Sequence, residues 1–232
     1  MPLYYGFDST YILVLIGVVL SLLASGRVKS TYAKYAKEQS LSGMTGAQAA
    51  QRILSMAGIY DVTIQHVPGN LTDHYDPRNK TLNLSDSVYG STSVAAVGVA
   101  AHECGHAIQH DRGYAALKMR SALAPAANIG ANISWPLILV GLLFGGSGLL
   151  IKIGILMFSL AVAFQLITLP VEFNASSRAM NMLSETGVLY REELPKTKKV
   201  LNAAALTYVA AAASSILQLL RLVLLFGNRR RD

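Results

Sequence analysis

His102, Glu103 and His106 stand in the run VAAHECGHAIQH, residues 99 to 110, where two imidazoles and a carboxylate interrupt a mostly apolar stretch. An α-helix repeats every 3.6 residues, so side chains four apart share a face about one turn from each other, and His102 and His106 can grip one ion. Glu103 is placed beside that ion to hold a water rather than to ligate. This is the arrangement H-E-x-x-H uses in zinc hydrolases. The motif falls where a helix is expected. Hydroxyl residues suited to capping open STSVAAVGVAAHECGHAIQHDRG, an apolar helix follows, and Gly113 stops it.

A catalytic zinc takes three protein ligands and a water. The pattern with a further His ten residues after the first requires it at position 112, where Arg112 stands, so that class is excluded. His110 continues the same face, but three groups spread over about 12 Å of helix axis cannot all reach one ion. It is read as a structural or substrate-facing residue. Glu185, Glu192 and Glu193 fall in a polar segment where solvated side chains are expected. Glu172 differs: it follows the apolar run ending LITLPV and opens EFNASSRAMNML, a second helix-compatible stretch with Pro170 suited to its first turn. A carboxylate there costs desolvation energy unless paired or bound to metal, and Glu172 is the expected third ligand. One Zn2+ per chain follows from that set.

The elements that must position these residues are largely membrane helices. The chain has 232 residues, 52% of them hydrophobic and only 14% charged, too apolar for an ordinary soluble fold. Uncharged runs at Ser9 to Gly26, Ser121 to Ile151, Ile153 to Val171 and Val200 to Leu220 each approach or exceed the length that crosses a hydrocarbon core of about 30 Å. The second and third, split near GGSG (residues 145 to 148) and Lys152, read as a hairpin. The expected fold is a mostly α integral membrane protein: a zincin-like α+β catalytic part with a small β element, and three to four hydrophobic membrane helices. Its expected parts are an N-terminal anchor (1–26), the catalytic part with the H-E-x-x-H helix (27–133), a transmembrane hairpin (134–170), a helix with the third ligand and a polar segment (171–199), and a C-terminal hydrophobic helix with a basic tail (200–232).

Within the catalytic part, TGAQAAQRILSMAG has apolar residues at helical spacing. VTIQHV alternates as a strand, PGNLTDHYDPRNK is rich in turn residues, and TLNLS alternates with Leu82 and Leu84 on one face. TLNLS is expected as an edge strand lining the cleft, open to an extended peptide by main-chain hydrogen bonds.

The formal charge of +7 does not point to nucleic acid, because the basic residues cluster beside the apolar runs rather than in an aromatic-interleaved patch. The lipid bilayer is the expected partner. No Lys or Arg precedes the first run, while Arg27, Lys29, Lys34 and Lys37 follow it. That bias argues for an uncleaved anchor with the following segment in the cytoplasm. The single cysteine, Cys104, excludes an intramolecular disulfide and reads as a small buried residue pointing away from the metal face. Gly105 is read as permitting close approach of another backbone, or as a merely tolerated helix glycine. Arg221 interrupts the last run, and a full crossing would put Arg229, Arg230 and Arg231 outside, against the positive-inside tendency.

LTDHYDPRNKTLNLSDSVY, VAAHECGHAIQH, the hydrophobic hairpin and VEFNASSRAM together resemble the YugP-like membrane zinc metallopeptidases, along nearly the whole chain. A looser likeness is to the HtpX type of membrane protease. The resemblance implies a zinc-dependent peptidase of the gluzincin kind in a bacterial plasma membrane. In the wider group an Asp four residues after the Glu buttresses a ligand; here Ser176 stands there, and Asn174 and Ser176 are the candidate supports.

In the expected reaction, His102, His106 and Glu172 hold zinc, and Glu103 is the general base for attack by water on a peptide bond. Arg178, His74, Tyr75 and His110 are the candidate oxyanion donors. The substrate is a polypeptide, with membrane proteins among the candidates. A non-catalytic membrane scaffold with a structural zinc is the alternative; it needs a fourth protein ligand and gives Glu103 no role. A transporter is a poorer match, since the hairpin carries only Lys152 near its turn.

Overall fold

The computed structural model describes residues 8–144 and 146–227. Among the described residues, six helices and three short strands follow in the order α1 (Tyr11–Tyr35), α2 (Gly46–Met56), β1 (Thr63–Val67), β2 (His74–Asp76), β3 (Thr81–Ser85), α3 (Val94–Asp111), α4 (Ala115–Leu143), α5 (Gly148–Thr186) and α6 (Leu194–Phe226). Helices α1, α4, α5 and α6 are long and apolar enough to cross a membrane. The chain is thus a mostly α membrane protein with a small β element. The basic residues Arg229, Arg230 and Arg231 lie outside the described residues.

Contacts divide the chain into two units. One comprises residues 1–24, 119–169 and 207–232, the apolar lengths of the four long helices; the other comprises 25–118 and 170–206 and holds the sheet and α3. In the first unit, α4 and α5 pack through glycines. A Cβ on Gly130 would overlap the Met157 carbonyl oxygen, and one on Gly154 would stand 2.6 Å from Ile138 Cγ1. Such close helix approach replaces the hydrophobic drive that lipid cannot supply. Helix α4 ends at Leu143 and α5 begins at Gly148, so Lys152 lies inside α5 and not at a break.

In the second unit the local signals match the elements they start. Thr45 caps α2 with a full capping box, its side chain accepting from Gln48 N–H while Gln48 reaches back to the Thr45 N–H. Ser93 caps α3 by accepting from Ala96 N–H, and Gly113, at φ +63°, turns the chain after it. The core between α2, the sheet and α3 is built from Ile53, Leu54, Leu82, Leu84, Val97 and Ala101, all essentially inaccessible.

Three expectations need correction. The sheet order is β1-β3-β2, with β1 parallel and β2 antiparallel to β3, so TLNLS is the central strand and not an edge. The edges are β1 and, from the turn-rich DHYD segment, β2. The alternation in TLNLS misleads because its polar residues are buried with partners: Ser85 N–H and Oγ donate to Asp73 at 2.7 and 2.9 Å, and Asn83 Nδ2 lies 3.2 Å from His74 Nε2. Second, Pro170 does not begin a helix; it lies within the continuous α5, whose apolar run carries on through the one lost hydrogen bond. Third, Glu193 is not solvated. It is buried, and its carboxylate accepts main-chain N–H bonds from Leu41 (2.9 Å) and Tyr190 (2.8 Å), fastening the loop after α1 to the start of α6.

Candidate metal centre

Helix α3 is almost entirely buried, and helix α5 lies against it closely enough that a Cβ on Gly105 would overlap the Ala175 carbonyl oxygen. Glycine is required there. Of the two readings of Gly105, close backbone approach is the one realised. This contact brings the ligand-bearing faces of α3 and α5 together.

On those faces, one donor atom each from His102, His106 and Glu172 lies within 4.8 Å of the others. His102 Nε2 is 3.3 Å and His106 Nε2 is 3.6 Å from the same Glu172 oxygen, Oε2, and the two imidazole rings meet edge to face with centroids 4.8 Å apart. Donors about 2.0 to 2.1 Å from a common tetrahedral ion stand roughly 3.3 Å from each other, close to the two imidazole–carboxylate separations. The donor chemistry fits as well, since two imidazoles and one carboxylate are ligand types that zinc takes. Glu172 is 2% exposed, a burial that a carboxylate tolerates only with partners of this kind.

Burial disfavours a charged His106, but its hydrogen bond to Glu172 and the field of Glu103 more than offset this, and its pKa is raised. Glu103, one residue from His102, is itself buried. Cys104 turns the other way, its thiol 3.7 Å from the Ala50 carbonyl oxygen. Burial holds that thiol well above its usual pKa, so it is a packing residue.

Both imidazoles are held from behind. Ser176 Oγ lies 3.1 Å from His102 Nδ1, in the place the resemblance gives to an Asp. His106 Nδ1 lies 3.0 Å from Oε1 of Gln109, a fully buried residue that the sequence reading passed over. Gln109 Nε2 donates to Asn174 Oδ1 at 3.0 Å, and Arg178 Nε donates to the same oxygen at 2.8 Å. A neutral amide on an apolar helix carries no pattern of its own. Only its i+3 spacing from His106 could have drawn notice.

Tyr75 Oη is 2.8 Å from His110 Nδ1, beside a cavity of about 200 Å³ lined by Asp61, Lys80, Ala107 and Asp111 among others. Burial, with the charges of Asp61, Asp76 and Asp111, pushes the Tyr75 phenol up to about 12, so it keeps its proton. His74 contacts the Thr72 carbonyl oxygen (2.9 Å) and Asn83. Arg178 is engaged with Asn174 and stands 6.0 Å over the Tyr114 ring.

Fold and site define a membrane protein with a His-His-Glu centre on paired helices, and the chain belongs to the family described as "putative neutral zinc metallopeptidase", whose pattern matches residues 10–227. It is 49% identical over 213 residues, 92% of this chain and 94% of the relative, to "Putative membrane protease YugP" of Bacillus subtilis (strain 168). No solved structure matches the chain.

Proposed function

We propose that the protein is a membrane zinc metalloendopeptidase in which His102, His106 and Glu172 hold one Zn2+ per chain and Glu103 is the general base. The observation that carries this reading is the convergence of the three donors, two of them 3.3 and 3.6 Å from one Glu172 oxygen, with a buried carboxylate adjacent in sequence to the first ligand. Zinc bound there supplies a Lewis acid and lowers the pKa of water towards about 7. Glu103 takes the proton of the attacking water and delivers it to the leaving amine nitrogen. Ser176 and Gln109 keep the two imidazoles aimed at the centre.

The substrate is an extended polypeptide. With β3 central, the strand available for main-chain pairing beside α3 is β2, His74 to Asp76, and pairing of that kind reads a backbone more than a sequence. The basic residues after the first apolar run support a cytoplasmic catalytic part. A structural-zinc scaffold needs a fourth protein ligand, and among the described residues the group numbers three.

The test is metal analysis with a proteolysis assay on the purified full-length protein. Glu103→Gln keeps one zinc and loses hydrolysis by about two to four orders of magnitude, while Glu172→Ala loses zinc affinity. Undiminished hydrolysis by Glu103→Gln rejects the mechanism.

A further inference from the structure

Gln109 is inaccessible to solvent, and both ends of its amide are engaged. Oε1 faces His106 Nδ1 at 3.0 Å, and Nε2 donates to the main-chain carbonyl of Val171 at 2.7 Å and to Asn174 Oδ1 at 3.0 Å. Asn174 Oδ1 takes a second hydrogen bond from Arg178 Nε.

The direction of this chain is forced. A guanidinium N–H only donates and a carbonyl oxygen only accepts. Arg178 therefore requires the oxygen of Asn174 on its side. That oxygen and the Val171 carbonyl both require the NH2 end of Gln109, which turns the Gln109 carbonyl towards His106. An imidazole nitrogen facing a carbonyl oxygen must carry hydrogen, so Nδ1 of His106 carries one, and Nε2, the atom 3.6 Å from Glu172 Oε2, is the nitrogen left to give up its hydrogen and ligate a metal.

We propose that Gln109 is a positioning residue that holds His106 in its ligating tautomer, with Asn174 and Arg178 setting the polarity of its amide. Val171 directly precedes Glu172, so the amide that orients one ligand also grips the backbone beside another. Arg178 thereby acts through Asn174 and Gln109 on His106. The inference rests on the reading of His102, His106 and Glu172 as a zinc site.

The test uses full-length protein in detergent, with zinc affinity measured by chelator competition and the Nδ1–H of His106 read by nitrogen-15 NMR of histidine-labelled, zinc-loaded protein. Gln109→Leu is expected to weaken zinc binding about ten- to a hundredfold, the usual cost of losing such a support, and to replace a slowly exchanging, hydrogen-bonded Nδ1–H signal by a rapidly exchanging one. Arg178→Met weakens binding less, and adding Asn174→Asp restores it, because a carboxylate accepts from Gln109 without an arginine to orient it. Loss of Arg178 packing over Tyr114 is not repaired by that second change. Wild-type affinity and Nδ1–H exchange in Gln109→Leu, or no recovery in the Arg178→Met, Asn174→Asp double variant, overturns the proposal. If Gln109→Leu does not fold, the pair at the half-buried positions 174 and 178 decides. His106→Ala separates the two readings: unchanged zinc affinity there rejects the zinc site itself, whereas its loss alongside an indifferent Gln109→Leu rejects only the positioning role.

Discussion

Ser176 stands 3.1 Å from His102 Nδ1 with a hydroxyl, where the wider group resembling this chain carries a carboxylate. A hydroxyl accepts the imidazole N–H but adds no charge to make the ring a stronger donor to metal. Ser176→Ala is therefore expected to weaken zinc affinity about tenfold, and Ser176→Asp to strengthen it. The gain has a cost: residue 176 lies one turn from Glu172, and two carboxylates at that spacing repel in the metal-free protein. Zinc titration followed by thermal melting checks both, with Ser176→Asp expected to melt lower than wild type without metal. Weaker zinc binding by Ser176→Asp rejects the argument. At this scale the ligands were legible because His102, His106 and Glu172 are polar groups in apolar runs, where each demands an explanation. Gln109 and Glu193 were not. The partners of Gln109 at Val171 and Asn174 lie more than sixty residues along the chain, and Glu193 hides among charged neighbours while accepting from Leu41.

Between elements, the contact that matters most is α3 on α5 at Gly105. Alanine in place of a mid-helix glycine ordinarily gains up to about 1 kcal/mol from propensity. At Gly105 the new methyl would overlap the Ala175 carbonyl oxygen and sit 3.0 Å from its carbon, backbone atoms that no rotamer change can move. Overpacking of that kind costs roughly 1 to 3 kcal/mol, so strain wins over propensity. Gly105→Ala is expected to lower the melting temperature and to weaken zinc binding, because separating α3 from α5 separates both histidines from Glu172. Gly26→Ala is the control. No atom lies within 4 Å of its added methyl, and propensity alone should leave that variant as stable as wild type or slightly more so. Equal stability of both variants in a melting comparison rejects the close-approach reading. Caps and periodicity made α2, α3, β1 and β3 legible, since each signal is local. Strand order was not, because β2 exists only by pairing His74 with Asn83 and Tyr75 with Leu82, and nothing within DHYD distinguishes that from a turn.

For the whole molecule, the open sequence question was whether α6 crosses the membrane, given Arg221 in its apolar half. In the membrane unit Ser214 Oγ donates to the Gly17 carbonyl at 2.8 Å, and Ser21 Oγ lies 3.1 Å from Ser214 Oγ. Seven residues further along α6, Arg221 Nη2 is 3.6 Å from Asp8 Oδ2, and its guanidinium lies over the Tyr11 ring at 4.1 Å from the centroid. Contacts advance along α6 as they retreat along α1, so the helices run antiparallel along the apolar length of α1. A carboxylate and an aromatic face meet Arg221, which removes the objection that a charge must end the span. The C-terminal end of α6 therefore lies on the same side as the N-terminal end of α1. Cysteines introduced singly as Ser9→Cys, Phe226→Cys and Lys37→Cys test this with a membrane-impermeant maleimide on intact cells, the native Cys104 being buried. The first two are expected to label together from outside and the third only after the membrane is opened, as a cytoplasmic catalytic part requires. Labelling of positions 9 and 226 from opposite sides rejects the antiparallel pairing, while labelling of position 37 from outside rejects the orientation and leaves the pairing intact.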